Sequence, residues 1–171
     1  AERIVFQCFT REDYRVEQLL GMMDSLARSM YVDAVKGSVM GDEELARSVS
    51  LRDNRLDRLY FLTVRLIRKL MGRPSVPPRD RIRLLDLRLL SKELEEIGDI
   101  AEKMALAGLK HRVGVEAVRV AEELASVEER VVGEILRGGS CMSVNIDALN
   151  RVRARIEESA RTGSPVYDGL R

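Results

Sequence analysis

The sequence is poor in the residues on which most enzymes depend. Its 171 residues include a single histidine, His111, and no tryptophan. Catalysis of the Ser-His-Asp or Cys-His type would have to use His111, and no nucleophile motif accompanies it. The sequence also has no glycine-rich loop of the kind that cradles phosphate groups. We therefore do not expect an enzyme.

Charge, cysteine content and hydropathy exclude further classes. Lys and Arg total 29 and Asp and Glu total 28, so the basic excess typical of a nucleic-acid-binding protein is missing. Cys8 and Cys141 are isolated, which predicts neither a disulfide framework nor a zinc site. No apolar run approaches the roughly 18–20 residues needed to cross a bilayer, and residues 1–9 lack a signal-peptide pattern. The simplest interpretation is a cytoplasmic protein.

Helical periodicity dominates the sequence. Apolar residues recur at spacings of three and four from Leu19 to Ala34, which predicts a first amphipathic helix. Asp42 is a good N-cap for a second helix, which Gly72 and the following prolines would end. A third helix is predicted from about Asp80 to Leu109. Long helices joined by short breaks favour an all-α fold, an antiparallel up-and-down helical bundle.

The second half of the chain is a weaker copy of the first. Its apolar stripes predict a fourth helix that ends at Gly138 and a fifth that begins after Ser140. We therefore predict tandem three-helix units at 13–110 and 111–171, of which the second is degenerate and lacks its last helix. Residues 1–12 are rich in β-favouring types and predict a short N-terminal β segment, a connector strand from an upstream domain.

Two pairs of acidic residues are the most informative feature. Asp53 and Asp57 are four residues apart, as are Glu95 and Asp99, so each pair lies on one helix face. The midpoint between the pairs is Val76, which lies in a proline-rich break. If that break is a hairpin between antiparallel helices, the pairs lie at the same level. Four carboxylates could then bind one hard cation or iron.

Other interpretations of the charged residues remain open. The carboxylates could instead be solvated helix flanks that pair with Arg55, Arg58 and Lys92, or a partner contact. Di-iron oxidase chemistry is disfavoured because it needs Glu-x-x-His pairs from two helices, and His111 is the only histidine. Arginines cluster around the proline-rich break, where they could meet acidic lipid headgroups in a peripheral membrane association, although acidic residues interleave with them.

Two stretches together resemble the PhoU family. In 52–62, Asp53 and Asp57 precede Tyr60 and Phe61, and this stretch is similar to the acidic motif of that family. In 94–102, Glu-Glu-Ile-Gly-Asp is similar to its signature stretch. The order and separation of the two motifs on helical stripes carry the resemblance, which extends over 13–110.

The resemblance implies a regulator of phosphate uptake built from tandem three-helix bundles. Such proteins act as cytoplasmic adaptors between the ATPase of a phosphate transporter and a sensor histidine kinase. Many form homodimers and bind multinuclear iron or zinc through the acidic motifs. Archaeal relatives often carry an AbrB-like DNA-binding domain ahead of the bundle, so the alternative is the sensing or dimerising half of a transcriptional regulator that contacts DNA only through an upstream domain.

The sequence departs from the family pattern at two places. Asn54 and Arg55 follow the first acid, where the family often has further acidic residues, and a guanidinium beside the ligands would weaken cation binding. In the second unit, Asn150 and Ala154 occupy the positions that correspond to Asp53 and Asp57. We therefore expect at most one acidic site in this chain.

Overall fold

The computed structural model describes residues 14–138 and 146–162, and every regular element in those ranges is an α-helix. The predicted all-α fold is therefore confirmed. In chain order the elements are α1 (Val16–Met40), α2 (Glu43–Met71), α3 (Pro78–Gly108), α4 (Glu116–Arg137) and α5 (Ile146–Thr162). The predicted β segment in 1–12 and the predicted cap at Ser140 lie outside the described residues.

The helix boundaries follow from local chemistry. Gly41 adopts a left-handed φ of 66° and ends α1, and the side chain of Asp42 then accepts a hydrogen bond of 3.0 Å from the Leu45 amide to begin α2. Helix α3 begins at Pro78, slightly before the predicted Asp80. Proline fits the first helical position because its missing N–H would have no partner there. Gly138, with φ 77°, ends α4.

Helix α1 is the central element of the bundle. It packs against α2, α3 and α4, whereas α5 packs against α4. The stripe on α1 is fully buried at Leu20, Met23, Ala27, Met30 and Ala34. Met23 and Met30 therefore fill the core. Because α2, α3 and α4 all pack against α1, this one amphipathic helix lies at the centre of the hydrophobic core.

The α2–α3 hairpin is antiparallel, as the proline-rich break predicts. Its turn is held by Arg81, whose guanidinium donates hydrogen bonds to the carbonyl of Val76 at 3.1 Å and that of Arg73 at 3.2 Å. Farther from the turn, the guanidinium of Arg88 donates to the Tyr60 hydroxyl at 3.0 Å and lies over that ring. The two helices therefore run in opposite directions.

Helix α4 lies antiparallel to α1 and is fixed by polar contacts. The Tyr31 hydroxyl donates to Glu128 at 2.9 Å, and Lys36 pairs with Glu122 at 2.9 Å. Arg83 of α3 reaches the other end of α4, where it donates to the Leu136 carbonyl at 2.8 Å. This contact provides a hydrogen-bond donor for a carbonyl in the last turn of α4, where the helix itself provides no N–H partner.

Candidate functional site

The α2–α3 hairpin brings together both predicted acidic pairs. The carboxylates of Asp57, Glu95 and Asp99 all act electrostatically on Asp53, so the four residues share one region of the hairpin. A fifth carboxylate, Glu102, acts on both Asp53 and Asp57. We call these five residues the acidic cluster. The expectation that α2 and α3 present the two pairs at one level agrees with this placement.

A close approach of the two helices holds the acidic cluster together. A Cβ atom at Gly98 would lie 2.1 Å from Leu56 Cδ2 and 3.5 Å from Asp53 Oδ1. Leu56 is fully buried against this glycine, between the two aspartates of α2. The fully buried Ser91 is another small residue on this face of α3. The absence of a side chain at Gly98 thus lets Asp53 approach the carboxylates of α3.

Burial and mutual repulsion both oppose ionisation in the acidic cluster. Partial burial, followed by the charges of Glu102, Asp57, Asp99 and Glu95, raises the pKa of Asp53 to about 6. Burial also raises the pKa of Asp57, with Glu95, Asp99 and Glu102 adding to the effect. Because these carboxylates raise one another's pKa, a cation placed among them would stabilise their ionised forms.

Lysines compensate part of this charge. The ammonium of Lys92 donates a hydrogen bond to Glu95, and the Lys103 Nζ lies 3.8 Å from Asp99 Oδ2. Arg55, which we expected to compete for the carboxylates, lies elsewhere. It lines an open groove of about 810 Å³ beside α1 and α2, together with Leu26, Ser29 and other residues. The competing cations come from α3 and are flexible, exposed lysines.

The acidic cluster has the oxygen donors that a hard metal ion prefers. Its side chains are not positioned to bind one. All five members are carboxylates, which are the ligands that hard cations prefer. Among the described residues, however, no group of three His, Cys, Asp or Glu side chains is placed to hold a metal ion. Binding a cation here would require the carboxylates to turn toward one point, and Lys92 and Lys103 to move away.

Glu102 is the residue that the sequence reasoning missed. It lies seven residues after Glu95 and three after Asp99, so it continues the same helical face. A spacing of four links Glu95 to Asp99 but does not reach Glu102. Spacings of three and seven lie on the same helix face and would include it.

A second polar group, which the sequence did not predict, lies between α1 and α4. We call Asp24, Arg28, Tyr31 and Glu128 the α1–α4 polar cluster. Arg28 Nη2 lies 2.9 Å from Asp24 Oδ2, and the Tyr31 hydroxyl donates to Glu128. Asp24 Oδ1 and Glu128 Oε1 are buried and have no hydrogen-bond partner. Burial raises the pKa of Asp24 and, with the charge of Asp24 nearby, raises that of Glu128 to about 7.

His111 is the single histidine of the chain. It is exposed and lies just after α3, in the junction that leads to α4. In the part of the chain that the structure describes, no helix combines the length and apolarity needed to cross a membrane.

These observations define a class of protein: an all-α bundle with a carboxylate cluster on one helical hairpin and its lone histidine on the surface. The chain belongs to the PhoU family, because the model of the PhoU domain matches residues 20–107, slightly more than half of the sequence. The match spans α1 from its second turn, all of α2 and nearly all of α3. This family is regulatory and non-enzymatic. No curated protein and no solved structure matches the chain.

Proposed function

We propose that this chain is a non-enzymatic adaptor that regulates phosphate uptake in the cytoplasm. The observation that carries the proposal is the match to the PhoU domain over the three helices that build the acidic cluster. By family resemblance, its partners are the ATPase of a phosphate transporter and a sensor kinase. An adaptor needs surfaces rather than a reaction centre, and the α2–α3 hairpin supplies a charged one.

The acidic cluster would act as the cation-responsive part of such an adaptor. Asp53, Asp57, Glu95 and Asp99 would hold the ion, with iron or zinc as the family's precedents, and Glu102 would add negative charge. A bound cation would supply positive charge and would neutralise the repulsion that raises the pKa of Asp53. The chain itself holds the two helices in register through Gly98 and Leu56.

Co-purification tests the adaptor role. The tagged chain should retain the transporter ATPase or the sensor kinase from cells of its native source, to an extent that changes between abundant and scarce phosphate. Mass spectrometry would identify the retained proteins. If neither protein is enriched over an unrelated helical bundle of similar charge, the adaptor role is wrong.

Metal content tests the role of the acidic cluster separately. Protein purified without chelator and analysed by elemental analysis should contain iron or zinc, and Asp57→Asn and Asp99→Asn should each reduce it. Glu93→Gln is a matched control because Glu93 is exposed on α3 and is not among the charges that act on Asp53. Metal that is absent, or equally bound by all three variants, would contradict the cation-binding role and leave the adaptor role untouched.

A further inference from the structure

The α1–α4 polar cluster contains two buried carboxylate oxygens without a hydrogen-bond donor. Among the described residues, Asp24 Oδ1 and Glu128 Oε1 have no partner. The other oxygen of each carboxyl group has one, because Arg28 Nε donates to Asp24 Oδ2 at 3.0 Å and the Tyr31 hydroxyl donates to Glu128 Oε2 at 2.9 Å. A buried acceptor has lost its hydrogen bonds to water, so leaving it without a donor is costly. This contact therefore needs a donor for two acceptors.

Arg28 does not supply the missing donor. Its Nε and Nη2 both lie at Asp24 Oδ2, at 3.0 and 2.9 Å, and its Nη1 lies 3.4 Å from Glu129 Oε2. When Asp24, Glu128 and Glu129 are all ionised, three negative charges accompany the single positive charge of this arginine. The fully ionised contact is thus short of positive charge as well as of hydrogen-bond donors.

The groups that act on Glu128 all belong to α1. The charge of Asp24 opposes its ionisation, whereas the hydrogen bond from Tyr31 and the charge of Arg28 favour it. Burial has the largest influence, and the net result raises the pKa of Glu128 to about 7. A proton on this carboxyl group is therefore compatible with near-neutral conditions in the folded chain.

Other carboxylates of α4 take part in more exposed contacts. Glu122 pairs with Lys36 of α1 at 2.9 Å, and these side chains are 53% and 38% exposed. Helix α5, which packs on α4, directs Arg155 to Glu123. Glu129 on α4 is 66% exposed. Glu128 is thus the carboxylate through which protonation can act on the buried part of the α1–α4 contact.

We propose that the contact between α1 and α4 is controlled by a proton on Glu128. The bound proton removes the charge that repels Asp24, and it turns one carboxyl oxygen from an acceptor into an O–H donor for which Asp24 Oδ1 is an acceptor. When the proton leaves to solvent, the contact holds two buried carboxylates and one arginine. Helix α4 is then bound less tightly.

Loss of this contact would uncover one face of α1. Helix α4 packs against α1 and α5, and α5 packs against α4, so the two would detach together. The covered part of α1 runs from Gly21, where a Cβ atom would lie 3.8 Å from Leu136, to Lys36, which pairs with Glu122. It is about 22 Å long at 1.5 Å per residue. Proton release would thus make a surface of the central helix accessible.

Hydrogen exchange of the full chain tests the proposal. The folded state binds the proton of Glu128 more tightly than the detached state, so α4 should be held firmly below the pKa of about 7 and less firmly above it. After correction for intrinsic exchange rates, protection of amides in α4 and α5 should fall by about 10-fold or more between about pH 5.5 and about pH 8.5. Detached helices of this length lose protection because they are marginally stable in water. Amides of α2 and α3 should change less.

Two variants separate protonation from other effects of pH. Glu128→Gln has no charge to gain and keeps an N–H donor, so protection of α4 should depend little on pH. Asp24→Asn removes the repelling charge, so it should lower the pKa of Glu128 in an NMR titration and reduce the loss of protection. Glu122→Gln is the matched control, because Glu122 also contacts α1 but is not among the charges that act on Glu128, and it should keep the loss.

The proposal is wrong if protection of α4 does not change with pH, if it falls equally in Glu128→Gln, or if α2 and α3 lose as much as α4. It is also wrong if Glu128 titrates in the folded chain near its ordinary value of 4.5, because a bridging water rather than a proton would then supply the donors. The adaptor role is independent of this contact. A chain that retains no phosphate-uptake protein would contradict that role and leave the exchange of α4 unaffected.

Discussion

The acidic cluster and the α1–α4 polar cluster both contain carboxylates, but in opposite settings. On the hairpin, the members are half-buried and acid faces acid, so burial and repulsion together raise the pKa of Asp53 to about 6. Between α1 and α4, Asp24 is buried and is paired with Arg28. The first cluster can gain from an added cation, whereas the second already contains its own. The difference lies in what faces each carboxylate: like charge on the hairpin, and an arginine between α1 and α4.

The largest expected effect comes from removing the internal cation of the α1–α4 polar cluster. Arg28→Met should lower the free energy of unfolding by about 3–5 kcal/mol, because Asp24 would remain buried without its partner. Urea denaturation would measure the loss. Arg52→Met is the control: it breaks a more exposed pair with Asp33 and should cost about 1 kcal/mol or less. Equal losses in the two variants would show that burial is not what distinguishes the clusters.

A smaller effect is expected at the glycine that lets α2 and α3 approach. Gly98→Ala should destabilise the chain by about 1–3 kcal/mol, because its Cβ would meet Leu56 at 2.1 Å and the buried leucine would have to change rotamer. Gly21→Ala is the matched control within α1. Its Cβ would lie 3.8 Å from Leu136, an ordinary contact, so the alanine should stabilise the helix by about 0.5–1 kcal/mol. Thermal unfolding of both variants would show whether the signs differ.

Glu128 should contribute to the pH dependence of stability. Its pKa is about 7 in the folded chain and 4.5 ordinarily, so the folded state binds the proton more tightly than the unfolded state. Stability from this group is therefore complete below pH 4.5 and is lost as the pH rises toward 7. We expect a loss on the order of 1–2 kcal/mol over that range.

Glu128→Gln tests this assignment, because a glutamine cannot ionise and should reduce the slope of the pH profile between pH 4.5 and 7, leaving the part that Asp53 contributes through its pKa of about 6. Urea denaturation at several pH values would measure the slope. A slope that is undiminished in Glu128→Gln would assign the titration to other carboxylates.

The smallest expected effect is the relief of repulsion in the acidic cluster. Glu102→Gln should raise the free energy of unfolding by a few tenths of a kcal/mol at neutral pH, because it removes a like charge from a half-exposed site. It should also lower the pKa of Asp53, since Glu102 is the strongest of the charges acting on it. NMR titration of the Asp53 carboxyl would measure the shift. Glu93→Gln, outside the cluster, should leave the pKa of Asp53 unchanged.

The fold and the acidic pairs were predictable because both depend on periodicity. Helical spacing identified the stripes of α1, α2 and α3, and the proline-rich break near Val76 placed Asp57 and Glu95 at one level. The α1–α4 polar cluster was not predictable, because it depends on which face of α1 meets α4. Tyr31 and Glu128 are 97 residues apart in sequence and carry no shared motif.

The position of Arg55 was not predictable for a similar reason, because it depends on which face of α2 carries the side chain. Neighbours in sequence lie on different faces of a helix, so adjacency to Asp53 did not place its guanidinium beside the carboxylates. The predicted division into units at 13–110 and 111–171 stays a prediction. So do the homodimer, the iron or zinc ligation by the four predicted acids, and the upstream DNA-binding domain.

Helices α4 and α5 should detach from the bundle before the first three helices unfold. Helix α4 packs against α1 on one side and α5 on the other, whereas α1, α2 and α3 each pack against both others. Amide hydrogens of α4 and α5 should therefore exchange with solvent through a partial opening that leaves the first three helices intact. Exchange in the middle of α1 should need global unfolding. The acidic cluster on α2 and α3 would survive the detachment of the second half of the chain.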